Sequence, residues 1–321
     1  MRRCPAVTKG AFIVMLLLSS ALQAYPLKPV RVIVPFAPGG PNDVVARIVF
    51  RHIASSLEQQ FVIENRAGAS GVLGTDIVAK STPDGYTLLV HSAAHVANAH
   101  LYKQLPYDPL KDFIGVSPLA VQVAALVVHP SMPVQSVRQL ITVAKAPRGA
   151  PLYASSGNGT FSHMAMALFN YMAGTQIVHV PYKGAGPAVI ALASGETQVM
   201  IANAAALLPH IRTQRLRALA VTSHTRTDPL STMPTLPEAG VAGYELSSWV
   251  GCFVPSRTPK AIIDELSSKI RTVLNAPDVA QMLSGQTLDP WFLEPQAFAQ
   301  HLRGDYEQYR RLVRLTGAHA E

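Results

Sequence analysis

The sequence predicts two α/β lobes joined by two extended crossovers. Three observations carry that fold class. Short β-branched segments alternate with segments of helical apolar spacing, the pattern that builds sheets covered by helices. The alternation occurs in two separate series. A long apolar, proline-bearing run follows each series, too rich in β-branched residues for one helix. Sheets with parallel strands and right-handed crossovers are the expected arrangement. The length, 321 residues with 49% hydrophobic and 14% charged, gives ample chain for two cores and is far from a disordered composition.

The elements follow in order. MRRCPAVTKG carries Arg2, Arg3 and Lys9, then AFIVMLLL (11–18) is continuously apolar and SSALQA ends in small residues. This is the order of a secretory leader, so residues 1–24 read as a signal peptide cut after Ala24, with Ala21 as the alternative because Leu22 is large for its place before the first cut, and the apolar run is too short to span a bilayer. The first series begins with strand VRVIVPF (30–36), the breaker run APGGPN and helix DVVARIVFRHIASSL. FVIEN (61–65), a Gly-rich turn, the helical GTDIVAKS and the strand YTLLVH (86–91) continue it. FIGVSPLAVQVAALVVHP (113–130) is the first crossover, with the hinge near residues 120–123.

PLYASS, the helical SHMAMALFNYM, IVHVPY, PAVIALAS, VMIAN and LRALAVT form the second series. YELSSWVGCFVP (244–255) is the return, and AIIDELSSKIRTVL, DVAQML and PQAFAQHLRGDYEQYRRLVRL supply closing helices. The expected division is therefore 25–121 plus 249–321 for the first lobe and 122–248 for the second.

Candidate ligand loops stand where strands lead into helices. In PFAPGGPND (35–43), Gly39 and Gly40 permit close backbone approach, Pro41 suits the first turn, and Asn42 or Asp43 can cap it. Such a helix start favours an anion. Gly-Lys-Ser/Thr and Gly-x-Gly-x-x-Gly are both absent, so the loop is neither a phosphate loop nor a dinucleotide fingerprint. YASSGNGTFSH (153–163) crowds hydroxyls and an amide around two glycines, and VPYKGAGPA (180–188) repeats the arrangement, with Tyr182 as a wall and Lys183 as a solvated cation. In open α/β sheets ligands bind beyond the carboxyl ends of strands, so the lobes should close on a small molecule between them.

PFAPGGPNDVVAR, ENRAGASGVLGTDIVAKSTPDGYTLL, LPYDPLKDF, SSGNGTFSH, VPYKGAGPA, LPHIRTQRLRALAVTS and MPTLPEAG resemble, in order, successive motifs of the Bug-type extracytoplasmic solute receptors of tripartite tricarboxylate transporters. The resemblance covers essentially the whole chain after the leader. It implies a type II periplasmic binding protein fold, a periplasmic location, a small carboxylated solute as ligand, and membrane transporter subunits as partners. It also implies that backbone groups and ordered waters, rather than an Arg clamp, hold the carboxylate. The residues carried over are Phe36, Ala37, Gly39, Gly40, Asn42 and Asp43, then Ser70, Ser155, Ser156, Gly157, Asn158, Thr160, Tyr182, Gly184 and Ala185. Ser92, His95 and Asn203 lie where the match weakens. Ala93 and Ala94 stand in place of family hydroxyls, and Ala202 in place of an Asp, so the distal end of the ligand is expected to differ from that of dicarboxylate-binding relatives, in the direction of being more apolar. Trp249, with Gly251 in the family's Trp-x-Gly, is expected at the cleft as a ligand wall or as hinge packing.

Other classes of protein fit the residues less well. His91, His95 and His100 have no carboxylate or Cys near them in sequence to complete a metal set, so neither metal nor cofactor is expected. GASGV fails the Gly-x-Ser-x-Gly pattern of a nucleophile elbow, and Ser156 with His163 is a hydrolase dyad by local spacing only. The cations are dispersed without interleaved aromatics, which argues against nucleic acid. Cys252 is the lone cysteine beyond the leader and reads as a small buried hydrophobe. A monomeric receptor without catalysis is the expectation. The alternatives are a receptor that hands its liganded form to a sensor kinase, and a secreted α/β hydrolase.

Overall fold

The computed structural model describes residues 25–146, 149–182, 184–223, 225–226, 230–246 and 248–317. The expected leader and its cleavage point, Lys183, and residue 247, where the return crossover is expected to pass its hinge at 247–249, lie outside them. Eleven strands and ten α-helices are described. The first half contains β1 (Val30–Val34), α1 (Pro41–Leu57), β2 (Phe61–Asn65), α2 (Val72–Ala79), β3 (Thr87–Ser92), α3 (Ala94–Leu101) and β4 (Phe113–Gln122). Next come β5 (Ala124–Val128), α4 (Val137–Ala144), β6 (Leu152–Ser155), α5 (Phe161–Ala173), β7 (Val178–Pro181), α6 (Ala185–Ser194), β8 (Val199–Asn203), α7 (Ala204–Arg212) and β9 (Arg217–Val221). The chain ends with β10 (Ser248–Pro255), α8 (Lys260–Leu274), α9 (Pro277–Ser284), β11 (Leu288–Pro290) and α10 (Pro295–Thr316).

Two sheets result, ordered β11-β4-β10-β3-β1-β2 and β7-β6-β8-β5-β9. They are mixed, which corrects the expectation of parallel sheets. Strand β1 pairs in parallel with β2 and β3, but β10 runs antiparallel to β3 and β4. In the second sheet β5 runs antiparallel to β8 and β9. The reason is topological: β5 and β10 are the strands by which the chain enters the second sheet and returns to the first. The run 113–130 divides between β4 and β5 with only Val123 between them. One nearly continuous strand therefore serves both sheets and makes the crossover short.

Both faces of each sheet are covered, so the inner strands are apolar on both sides. Along β1, Val30, Val32 and Val34 pack with Phe50 and Ile53 of α1 and Leu266 and Ile270 of α8, while Ile33 points into the opposite cluster. Strand β5 divides the same way, Ala125 and Val127 packing toward α6 and α7 and Leu126 and Val128 toward the other face. This is the period of two expected of a strand. One cluster runs through both lobes: Met164 and Phe169 of α5 join Phe298, Leu302, Tyr309 and Leu312 of α10. Helix α8 buries Ile263, Leu266, Ile270, Val273 and Leu274, a single stripe at helical spacing. Cys252 is fully buried and its thiol is raised far above the usual range by desolvation, which makes it packing rather than a nucleophile.

Candidate functional site

A cavity of about 600 Å³ opens between the two sheets, within the size range of small-molecule sites. From the first lobe Phe36, Ala69, Ser70, Ser92 and one face of α3 line it, together with Ser248 and Tyr309. Residues 157–161, Pro181 and Tyr182 line it from the second. None of these lining residues carries a charge.

The α3 wall is a matter of helical spacing. Ala93, Ala94, Ala97, Asn98 and Leu101 fall on one side, and the three alanines leave room where larger side chains would fill it. The two alanines that replace family hydroxyls are thus lining residues, whereas Ala202 is buried in the second lobe's core. The N–H groups of Val96 and Ala97 both donate to the Ala93 carbonyl, leaving those of Ala94 and His95 without an intrahelical partner. Across the cavity the first intrahelical bond of α5 runs from Met164 N–H to the Thr160 carbonyl, so the N–H groups of residues 161–163 are in the same position. Two helix N-termini, one from each lobe, therefore border one uncharged cavity.

The loop after β6 is held by its own hydroxyls. Ser155 Oγ lies 2.6 Å from His179 Nε2, and Ser156 N–H donates to Ser162 Oγ at 2.9 Å. Thr160 Oγ1 donates to the Gly157 carbonyl at 2.7 Å, and Gly159 N–H donates to His163 Nδ1 at 3.1 Å. Gly157 and Gly159 take left-handed φ values of 127° and 73°. A Cβ on Gly159 would stand 2.9 Å from Leu101 of α3, so this glycine lets the lobes approach. His163 and His179 stack with ring centroids 4.0 Å apart. Burial, then the neighbouring His179, pushes His163 down to about 4. Ser156 bonds Ser162 and His163 accepts from Gly159, so the hydrolase dyad does not form.

On the opposite wall Ala69 and Ser70 both hold left-handed backbone, at φ 47° and 52°, between Gly68 and Gly71. Two successive non-glycine residues in that region store strain of about 1–3 kcal/mol each. The Ser70 carbonyl is fixed by Asn98 Nδ2 at 3.0 Å.

Of the residues named from sequence, Phe36, Ser70, Ser92, Gly157, Asn158, Thr160 and Tyr182 come together at the cavity. Tyr182 also donates its hydroxyl to Glu196 at 2.7 Å, which holds the ring as a wall. Ser155 and Ser156 support the loop from behind. Gly184 and Ala185 begin α6 without reaching the lining.

The loop 35–43 stands beside the cavity with only Phe36 entering it. Its anion is internal: Asp43 accepts from Gly39 N–H at 2.9 Å, Arg47 Nε at 3.0 Å and Asn65 Nδ2 at 3.0 Å. Burial would raise the Asp43 carboxyl, but the bonds from Arg47, Gly39 and Asn65 outweigh it and hold it below its ordinary value. Gly39 needs its φ of 82°, while Gly40 has room for a Cβ, its nearest neighbour being the Ala37 carbonyl at 3.6 Å. Ala37 is exposed and Asn42 is buried in the first turn of α1.

Three expected ligand residues are placed elsewhere. His95 is fully buried, bonded through Nε2 to the Pro109 carbonyl at 3.0 Å and packed on Phe253 and Phe113. Asn203 turns to the crossover, where its Nδ2 donates to Gln122 Oε1. Trp249 is fully buried, its Nε1 donating to Asp305 at 2.7 Å and its ring packed edge-on to Phe298. It is hinge packing. Ser248, Tyr309 and Asn98 line the cavity without having been singled out from sequence; for Asn98 the signal was its place on the alanine face of α3.

A two-lobed α/β shell with short crossovers and an uncharged cavity between its sheets is the architecture of a solute-binding receptor, with the type II periplasmic binding protein fold. The chain belongs to the tripartite tricarboxylate transporter family receptors, whose family model matches residues 45–317. Receptors of this family are periplasmic. Protein BugT of Bordetella pertussis is 36% identical over 298 residues, covering 92% of this chain and 91% of the relative. Among solved structures, R. palustris Rpa4515 with adipate is 34% identical, with a TM-score of 0.78 over 92% of this chain and 99% of that one. MatC (Rpa3494) from Rhodopseudomonas palustris with bound malate is 30% identical, with a TM-score of 0.72 over 90% of this chain and all, 100%, of that one.

Proposed function

We propose that this receptor captures a small carboxylate between lobes formed by 25–121 plus 249–321 and by 122–248, and releases it unchanged to membrane transporter subunits. It acts as a monomer after export by the leader in residues 1–24. The observation that carries the reading is the pair of helix N-termini, at Ala93–Ala94 and Thr160–Phe161, on opposite walls of a cavity whose lining residues are uncharged. Backbone N–H groups and dipole ends favour an anion there without a cationic side chain. Ser70, Ser92, Asn158 and Thr160 add hydrogen bonds, and Phe36 and Tyr182 close the sides. The alanine face of α3 accepts the ligand's carbon skeleton. The binding of adipate and of malate by relatives supports the ligand class.

A thermal-shift screen of residues 25–321 against mono-, di- and tricarboxylates, aromatic acids, amino acids and neutral sugars tests this. A ligand at about a hundred times its Kd stabilises by roughly 2.7 kcal/mol, which raises the midpoint by several degrees in a protein of this size. An acid is expected to produce that shift. A shift from neutral or cationic compounds with none from any acid would contradict the reading.

A further inference from the structure

The hinge-side floor of the cavity is built by residues far apart in sequence. Ser248 opens β10, paired with Gln122 at the end of β4, so it stands at the crossover itself. The next residue, Trp249, donates its indole N–H to Asp305 of α10 at 2.7 Å. Asp305 is one helical turn before Tyr309, so this bond holds α10 against the return strand at the level that brings Tyr309 beside the crossover. Ser248 and Tyr309 both line the cavity, although each is almost wholly buried in the protein. No hydrogen bond to another described residue engages either hydroxyl, and neither oxygen is among the fully enclosed, unpartnered polar atoms, as that of the buried Tyr107 is.

We propose that Tyr309 and Ser248 form a second, neutral hydrogen-bonding station, which takes a distal oxygen of a ligand whose carboxylate lies at the two helix N-termini. The inference rests on the carboxylate reading above and narrows it: the ligand has an aliphatic body along the α3 alanines but, against the more apolar distal end expected from Ala93, Ala94 and Ala202, carries a second oxygen function beyond it. Both hydroxyls can donate. The Tyr309 phenol stays protonated throughout the physiological range, because burial and then the Asp305 charge raise it. Trp249 is a positioning residue for this station and not a wall.

Calorimetry with succinate, glutarate and adipate, each against butyrate, valerate and hexanoate, tests it on the wild type, Tyr309→Phe and Ser248→Ala. Tyr309→Phe keeps the ring and removes only the oxygen. The wild type is expected to prefer at least one diacid to its matched monoacid by tenfold or more. Tyr309→Phe should weaken that diacid about tenfold while leaving the monoacid within twofold, and Ser248→Ala should act in the same direction. Unchanged diacid affinity in both variants, or equal wild-type affinity for the diacids and their monoacids, overturns the station and leaves the carboxylate reading standing. Absence of binding by all six acids overturns the station, and the wider acid screen above then decides the carboxylate reading separately.

Discussion

His95 shows what a single residue's chemistry does once its surroundings are fixed. Its ring lies among Phe113, Phe253 and Tyr107, with Nε2 on the Pro109 carbonyl and Nδ1 buried without a partner. Burial opposes the cation and lowers its pKa from 6.5 to about 4, the Pro109 bond only partly countering it. The unfolded chain then holds more protons than the folded one between those values. His95 therefore contributes stability that is present above about 6.5 and is lost as pH falls toward 4, on the order of 3 kcal/mol in all. Fully buried His91 is lowered by burial and by His95, and acts in the same direction. Urea titrations at neutral and acid pH should show His95→Phe with a flatter acid slope than the wild type; an identical slope would contradict the assignment. In sequence His95 sat beside Ser92 in a suspected cleft loop. Which side of α3 faced the core was not legible, because alanines lie on both.

At the scale of elements, the strand, glycine loop and helix pattern was legible, because β-branched runs and breakers are local signals. The run 113–130 was legible as extended, and its division into strands of two sheets follows from the hinge expected near residues 120–123. The antiparallel placement of β5 and β10 was not legible, since it depends on which sheet each strand joins. Nor was the meeting of α10 with the return strand, made through Trp249 and Asp305, which are 56 residues apart. The loop before α5 gives an element-scale prediction. Gly159→Ala places a methyl group in left-handed backbone and 2.9 Å from Leu101 of the facing lobe. The backbone cost alone is about 1–2 kcal/mol. Because the clash lies across the cleft, acid affinity should fall at least tenfold by calorimetry, with partial recovery in Gly159→Ala combined with Leu101→Ala. Full affinity in the single variant would show that the lobes need not approach there.

For the whole molecule, the two sheets and the short crossovers turn local helix starts into one site. Neither lobe encloses the cavity alone: α3 and residues 69–70 form one wall and residues 157–161 with Tyr182 the other. Seven of the lining residues were legible in the sequence, through loops that follow strands. The anion was expected on loop 35–43, where Asp43 itself occupies the Gly39 N–H, and the floor was not legible. The internal carboxylate is visible as an Asp near a helix start, but its bonds to Asn65 and Arg47 need the fold to bring β2 and α1 together.

The most direct test of the account compares the acid selected by the thermal-shift screen with its primary amide, of nearly the same shape, by isothermal calorimetry. Hydrogen bonds to a charged group are worth about 1.5–3 kcal/mol, so loss of the charge at two helix N-termini should weaken binding by tenfold or more. Equal affinity for acid and amide would contradict an anion site between the lobes.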